Sequence, residues 1–257
     1  SQLAPTFEAT SRHMKLVGVR SALAGRCLFL RVSADTGEAM GMNMASKGTE
    51  ALLSHLMKEQ FPQVPIEACC LSGNYCTDKK AASAINWADG RGYSVTAEAR
   101  ITRPVLEQVL KVTAPALANL ATTKNLVGSA MAGVGPGGQN GHAANLVAAI
   151  FLACGQDQAQ VVESAACLTH CEADPEDGSL VISCTMPCVE VGVIGGGTRL
   201  PGQSALVSWL CDGFPEGRRA EGLARIVTAT VLAGELSLLA ALQTGSLVSS
   251  HLALNRK

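Results

Sequence analysis

Residues 70–87 read CLSGNYCTDKKAASAINW, and how this stretch is parsed divides the whole chain. Asp78, Lys79 and Lys80 stand side by side in a sequence where only 16% of residues are charged. Gly73, Asn74 and Thr77 precede them, the signature of a turn after a strand rather than of a solvated helix face. Upstream, residues 13–33 alternate apolar and polar side chains around Gly25, which predicts a β-hairpin. Residues 43–60 take helical spacing and stop before Pro62, and VPIEACCLS returns to strand spacing. This β-β-α-β order predicts a small α+β unit over residues 1–70.

From residue 71 onward the character changes. YSVTAEARI reads as a strand, and RPVLEQVLK as a short helix that opens on proline. Ala-rich helices are expected at 114–132 and 140–165, a pair of strands at SLVISCTM and CVEVGVIGGG, a long helix at 218–243 and a last short one at SLVSSHLAL. No internal repeat interrupts the pattern.

The 257 residues are 47% hydrophobic, enough for a sizeable core, and only 4% aromatic. A ligand is therefore met by backbone and charge more than by ring stacking. A net charge of −1 gives no global field towards nucleic acid or an acidic membrane. The longest uncharged run, 125–156, has the length of a membrane span. Its Pro136, several glycines and His142 are costly in lipid, and the run reads as part of a folded core. The ten cysteines lie among apolar neighbours with no secretory leader ahead of them, so they read as reduced thiols in a cytosolic setting. Cys167, Cys171, Cys184 and Cys188, with His170 nearby, include enough soft ligands for zinc. The CxxxC spacing and the strand-like setting of the second pair favour buried thiols and no metal. The chain opens at Ser1, which reads as a fragment or a processed piece.

Gly133-Val134-Gly135-Pro136-Gly137-Gly138 fits the spacing of a dinucleotide fingerprint, with Asp157 about 20 residues on. A helix-like run precedes it, not a strand, so it reads as a glycine hinge. VIGGGT at 193–198 is either an anion-cradling loop or an ordinary tight turn. Asp157, a lone carboxylate in an apolar helical stretch, is either a structural N–H acceptor or the partner of Lys79 or Lys124. His251, beside serines near the chain end, says little alone. Together Lys79, Lys80, Lys124, Asp157, Asn145 and His251 outline a site for an anionic carbonyl substrate. Lysines can clamp a carboxylate and stabilise an oxyanion, the acid can tune a lysine, and the histidine can protonate a leaving group.

The sequence resembles the eukaryotic-type (class I) 3-hydroxy-3-methylglutaryl-CoA reductase family nearly end to end. The motifs that carry the resemblance are TSR at 10–12, GEAMGMNMASKGTE at 37–50, SGNYCTDKK at 72–80 and AINWADGRG at 84–92. They continue through KNLVGSAMAG at 124–133, HAANLVAAIFLACGQD at 142–157, ISCTMP, GGGT, AGELSLLAAL and SHLALNR. The resemblance implies an NADPH-dependent, four-electron reduction of the thioester to mevalonate with release of CoA. It implies catalytic roles for Lys79, Asp157 and His251. It implies contacts to the hydroxymethylglutaryl group by Ser72, Asp78, Lys80, Lys124 and Asn145, and to CoA by Lys111. Ser11, Arg12, Met40, Gly41, Met42, Asn43, Gly195, Gly196, Gly197, Thr198, Asn255 and Arg256 fall in the implied dinucleotide region.

The fold implied is α+β, a large domain at 71–257 around a long central helix, with part of an inserted, ferredoxin-like NADPH domain at 1–70. The implied assembly is a tetramer built from dimers with active sites between subunits, and no nucleic-acid partner. In the full-length protein an upstream segment would anchor it in the endoplasmic reticulum membrane, with this segment in the cytosol and off the membrane. The family pattern also places a catalytic glutamate, a substrate-binding arginine and a dimer motif upstream of Ser1, so the isolated chain is expected to be poorly active. The alternative is a non-catalytic piece that binds CoA or dinucleotide. The loop after Lys80 lacks a usual proline and is one residue longer, as is the hinge at 133–140, and Lys257 stands where a phosphorylatable serine is usual.

Overall fold

A computed structural model of the chain describes residues 3–67, 70–88 and 90–246. The predicted hairpin forms from β1 (Lys15–Ala24) and β2 (Cys27–Asp35), paired antiparallel from Lys15↔Asp35 to Ala24↔Cys27. Its two-residue turn places Gly25 at φ 57°, where glycine is free of the Cβ penalty. Helix α1 (Ala4–Glu8) and helix α2 (Met42–His55) close over the hairpin. Phe7, Met14 and Leu52 form their fully buried core, with Leu16, Val32 and Met44 packed around it. The predicted strand at VPIEACCLS does not form: its described residues, 64–67 and 70–72, carry no strand. Pro65 withholds a ladder donor there, and among the described residues β1 and β2 pair only with each other.

The second sheet has the order β3-β6-β5-β4: β3 (Tyr93–Ile101), β6 (Leu180–Val189), β5 (Cys167–Ala173) and the two-residue β4 (Gly138–Gln139). β6 pairs antiparallel with both β3 and β5, while β4 joins β5 in parallel. On β3, Tyr93, Val95, Ala97, Ala99 and Ile101 alternate inward onto the core, as a period of two requires. Helix α3 (Ala114–Ala121) lies on β5, and α6 (Arg219–Gln243) packs across β3 and β6 and against α4 (Ala143–Ala153). Eleven of the α6 residues are buried, so this helix, long and apolar enough by length to cross a membrane, is the spine of the core here. Helix α5 (Pro201–Leu210) completes the described helices longer than two turns.

Two further expectations fail for physical reasons. The helix expected over 140–165 ends at Ala153, because Gly155 turns left-handed at φ 66° and the chain reverses. Of the two strands expected at 179–197 only the first forms, as β6, which takes in Cys188 and Val189 of the second and ends there. It absorbs Pro187 at a register shift opposite Tyr93–Val95, so the missing N–H interrupts no ladder bond. The neighbour that completes the sheet is β5, whose residues carry no strand spacing of their own. On β5, Cys167 and Cys171 are buried whereas His170 points to solvent, 3.5 Å from Glu172, so these three cannot converge on one ion. Burial pushes the thiols of Cys171 and Cys188 up to about 12, as expected of neutral core hydrophobes.

Candidate functional site

The turn at 72–80 is built from uncommon backbone. Asn74, Thr77 and Lys79 all lie at φ 60–61°, a region that costs an L-residue about 1–2 kcal/mol and is rarer still for β-branched threonine. Such a conformation persists only when the surroundings over-determine it. Two turn bonds do so here, Thr77 N–H to Asn74 O (3.0 Å) and Lys80 N–H to Thr77 O (3.1 Å). The buried Thr77 hydroxyl also donates to Asn86 Oδ1 at 3.1 Å. Lys80 turns its ammonium back onto the Asp78 carbonyl at 2.7 Å, while Lys79 reaches outward to place Nζ 3.4 Å from Asp157 Oδ2.

Asp157 lies beyond the end of α4, not within it. Its Oδ1 accepts the Ala159 N–H at 3.0 Å and starts the short turn Gln158–Gln160. Both readings of Asp157 therefore hold at once: it is a structural acceptor, and it is the partner of Lys79. Its turn is locked in place by two contacts. The Gln156 amide bonds both the N–H (2.9 Å) and the C=O (3.0 Å) of Gly192, as a strand neighbour would. A Cβ at Gly155 would fall 2.5 Å from the Gly197 carbonyl, so the GQD turn and the GGGT loop touch backbone to backbone.

Behind the turn sits an ionic hub with Arg91 at its centre. The guanidinium bonds Asp78 (Nη2, 2.9 Å), Glu163 (Nη1, 3.1 Å) and Glu190 (Nε, 3.1 Å). Glu163 and Glu190 are buried, and Glu163 Oε1 also accepts the Lys79 N–H at 2.8 Å. Burial works to raise the Asp78 carboxyl, but hydrogen bonds from Arg91 and Gln160 outweigh it and hold Asp78 below the ordinary range. Burial wins at Glu163, which is raised, and at Glu190, which is pushed up to about 8. The arrangement is an anchored, exposed ammonium paired with an exposed carboxylate on a rigid polar floor. It suits stabilisation of negative charge developing on a carbonyl oxygen.

The 39–43 loop, which runs into the first residues of α2, meets the same floor. Met42 Sδ lies 2.9 Å from Arg91 Nη2, and Gln160 Nε2 spans from Met40 Sδ (3.4 Å) to Asp78 Oδ1 (3.3 Å). Gly41 adopts φ 87°, and a Cβ there would strike Thr36. A bridge between Ala39 and Ile194 aligns this loop with Gly195–Thr198. Gly195 and Gly196 are left-handed at φ 88° and 54°, with open space where a Cβ would project, and Thr198 Oγ1 ties the loop to Gly195 O at 2.6 Å. This open backbone fits a phosphate-bearing dinucleotide. Ser11 lies against Met44 at 3.5 Å, with Arg12 exposed beside His13. Ser72 is 3.4 Å from Cys76 Sγ. Lys111 is exposed in a left-handed helix end, Lys124 is half-buried on the wide turn Thr122–Gly128, and Asn145 is exposed on α4. Among the described residues, none of these last three bonds to the Lys79 cluster. His251, Asn255 and Arg256 lie outside the described residues.

The family described as hydroxymethylglutaryl-coenzyme A reductase matches residues 1–256. The chain belongs to that family. It is 54% identical over 255 residues to the 3-hydroxy-3-methylglutaryl-coenzyme A reductase of Strongylocentrotus purpuratus, covering 97% of this chain and 27% of that relative. It is 50% identical over 260 residues to reductase 2 of Dictyostelium discoideum, covering all of this chain and 48% of that relative. The chain thus spans about a quarter to a half of these curated relatives. Among solved structures it is similar to the class II reductase of Streptococcus pneumoniae bound to NADPH in open conformations. There the TM-score is 0.64 at 24% identity, over 94% of this chain and 64% of that one. That likeness bears on the fold alone.

Within this member of the family, several residues that shape the site escape a reading by motif. Arg91 sits between two glycines in AINWADGRG, and Glu163 and Glu190 are isolated acids in apolar runs. Isolation of a charge among apolar neighbours was the available signal, since such a charge must find a partner once buried. Gln156 and Gln160, neutral and flanking Asp157, carry no comparable mark.

Proposed function

We propose that the full-length protein reduces 3-hydroxy-3-methylglutaryl-CoA to mevalonate with two equivalents of NADPH and releases CoA. This chain would supply the Lys79 side of the active site. The observation that carries the reading is the Lys79–Asp157 ion pair set beside the 39–43 and 195–198 loops. NADPH, when bound, supplies the hydrides. Gly195, Gly196, Gly197 and Thr198 would hold it with Met40, Gly41, Met42 and Asn43, together with Ser11, Arg12, Asn255 and Arg256. Residues 1–70 would be part of the dinucleotide domain and residues 71–257 part of the catalytic one.

Lys79 would stabilise the oxyanion as the thioester carbonyl accepts a hydride, and again as the aldehyde does. Asp157 holds the ammonium in place for both steps. Collapse of the first adduct expels the CoA thiolate, which His251 would protonate. Ser72, Asp78, Lys80, Lys124 and Asn145 would orient the hydroxymethylglutaryl group, and Lys111 would meet CoA. Lys79 is 46% exposed and Asp157 36%, so this face is an open half-site. That suits closure by upstream sequence and a second subunit, in a homo-oligomer built from dimers. The full-length protein would be anchored in the endoplasmic reticulum membrane, with this segment in the cytosol.

The test is loss of reduced-nicotinamide absorbance with 3-hydroxy-3-methylglutaryl-CoA, comparing this chain, the full-length protein and its Lys79→Met variant. Turnover by the full-length protein is expected, with Lys79→Met slower by about a hundredfold or more. Full turnover with Lys79→Met, or none by the full-length protein, would sink the reading. The second outcome would favour a chain that binds CoA or dinucleotide without catalysis.

A further inference from the structure

Lys79 has an exposed side chain and a left-handed backbone at φ 61°, so something must hold its N–H where the ammonium meets Asp157. Glu163 is the acceptor. It rises from the short helix Val161–Ser164, is fully buried, and uses one oxygen, Oε1, for both the Lys79 N–H (2.8 Å) and Arg91 Nη1 (3.1 Å). Arg91 cannot drift, because its other nitrogens are held by Asp78 and Glu190. We propose that Glu163 is a positioning residue for Lys79, locking the backbone of the catalytic turn through a single buried oxygen that Arg91 holds in place. The role deepens the reductase reading above and rests on it.

The charge arrangement supports this. Three carboxylates face one guanidinium, and both Glu163 Oε2 and Glu190 Oε2 are buried without a partner. A proton retained on one of these two acids relieves the excess negative charge and leaves Glu163 Oε1 free to accept. The charged and titratable groups around them are Asp78 and Lys79 on the turn, Arg91 before β3, Cys188 on β6, and Asp157 across from Lys79. Burial raises both acids, in keeping with a retained proton.

The experiment uses the full-length protein with two opposed substitutions. Glu163→Gln keeps an acceptor oxygen at full reach without the charge, and its amide can donate where the proton sat. Glu163→Asp keeps the charge but is one methylene too short. Glu163→Gln is expected to stay within about threefold of the parent kcat and Glu163→Asp to fall about tenfold or more, with KM for NADPH changed less than about twofold in both. The reverse order would show that charge and not position matters, and would overturn the proposal. So would equal kcat losses in both variants accompanied by equal losses of thermal stability. If the parent reduces no substrate, the functional reading fails, but position can still be read. Labelling of Lys79 by an amine-reactive reagent, followed by mass spectrometry, is then expected to quicken about threefold or more in Glu163→Asp and not in Glu163→Gln, as the pair with Asp157 loosens. Labelling unchanged in both would overturn it.

Discussion

Glu190 is the residue at which burial and charge conflict most openly. Its carboxyl is pushed up to about 8 because burial disfavours the ion; Arg91 pulls it back only in part, and Glu163 and Asp78 push it further. From the ordinary value of 4.5 up to about 8, the folded chain holds a proton that the unfolded chain has released. Stability therefore falls as pH rises through that window. Glu163, also raised, acts in the same sense. Asp78 acts in the opposite sense: held below its ordinary 3.8, it stabilises above that value and loses its contribution as pH falls through its lower folded value. Glu190→Gln keeps an acceptor for Arg91 Nε and cannot ionise. The parent's thermal midpoint is expected to drop between about pH 6 and pH 8.5, and the variant to lose about half of that slope or more. An unchanged slope would mean that Glu190 does not titrate in this window. At this scale the sequence pointed to Lys79 and to Asp157, leaving the latter's partner open between two lysines. It marked Glu163 only as an isolated acid in need of a partner and could not name Lys79 as that partner, because the Lys79–Glu163 bond joins residues 84 positions apart.

The elements were legible where local chemistry alone decides them. Gly25 turns the hairpin, β3 alternates, and the apolar run of α6 has room for nothing but a helix. They were misread where a tertiary partner decides. The residue types of β5, CLTHCEA, do not alternate cleanly although their burial does, so nothing in them separates the strand from the end of the expected helix, and β6 hides its length behind Pro187. The start of α6 depends on such a distant partner. Glu38, carried on the loop after β2, accepts the N–H groups of Arg219 (3.0 Å) and Ala220 (3.1 Å) through Oε2. It serves as the N-terminal cap from 181 residues away, and its charge also suits the positive end of the helix dipole. Glu38→Ala leaves those donors unpaired while the Glu38 carbonyl still holds Val193 N–H at 2.8 Å. The expected loss is about 1–2 kcal/mol in urea unfolding, with an unchanged slope against denaturant. Stability equal to the parent's would mean that water replaces the cap without cost.

The described residues form two hydrophobic cores, one under the hairpin and one around α6, and both side-chain bonds and close backbone contacts join them. Gly192 is the tightest of these joints. A Cβ there would lie 2.4 Å from Met40 N and 3.0 Å from the Ala39 carbonyl carbon, both on the loop proposed to hold the dinucleotide. Its φ is not in the left-handed region, so Gly192→Ala probes steric separation of the two parts without backbone strain. The sequence offered no hint of this joint, since GVIGGGT reads as one glycine-rich turn whichever of its glycines faces a neighbour. In the full-length protein, Gly192→Ala is expected to raise KM for NADPH about tenfold while unfolding free energy changes by about 1 kcal/mol or less. Displacing the 39–43 loop misplaces a binding surface but removes no buried apolar area from either core. Gly213→Ala, where a Cβ meets open space, is the matched control and is expected to move neither quantity. If Gly192→Ala left KM untouched, the 39–43 loop would not belong to the dinucleotide site. If it unfolded the chain instead, the two cores would be one cooperative unit, with this joint as its weakest point.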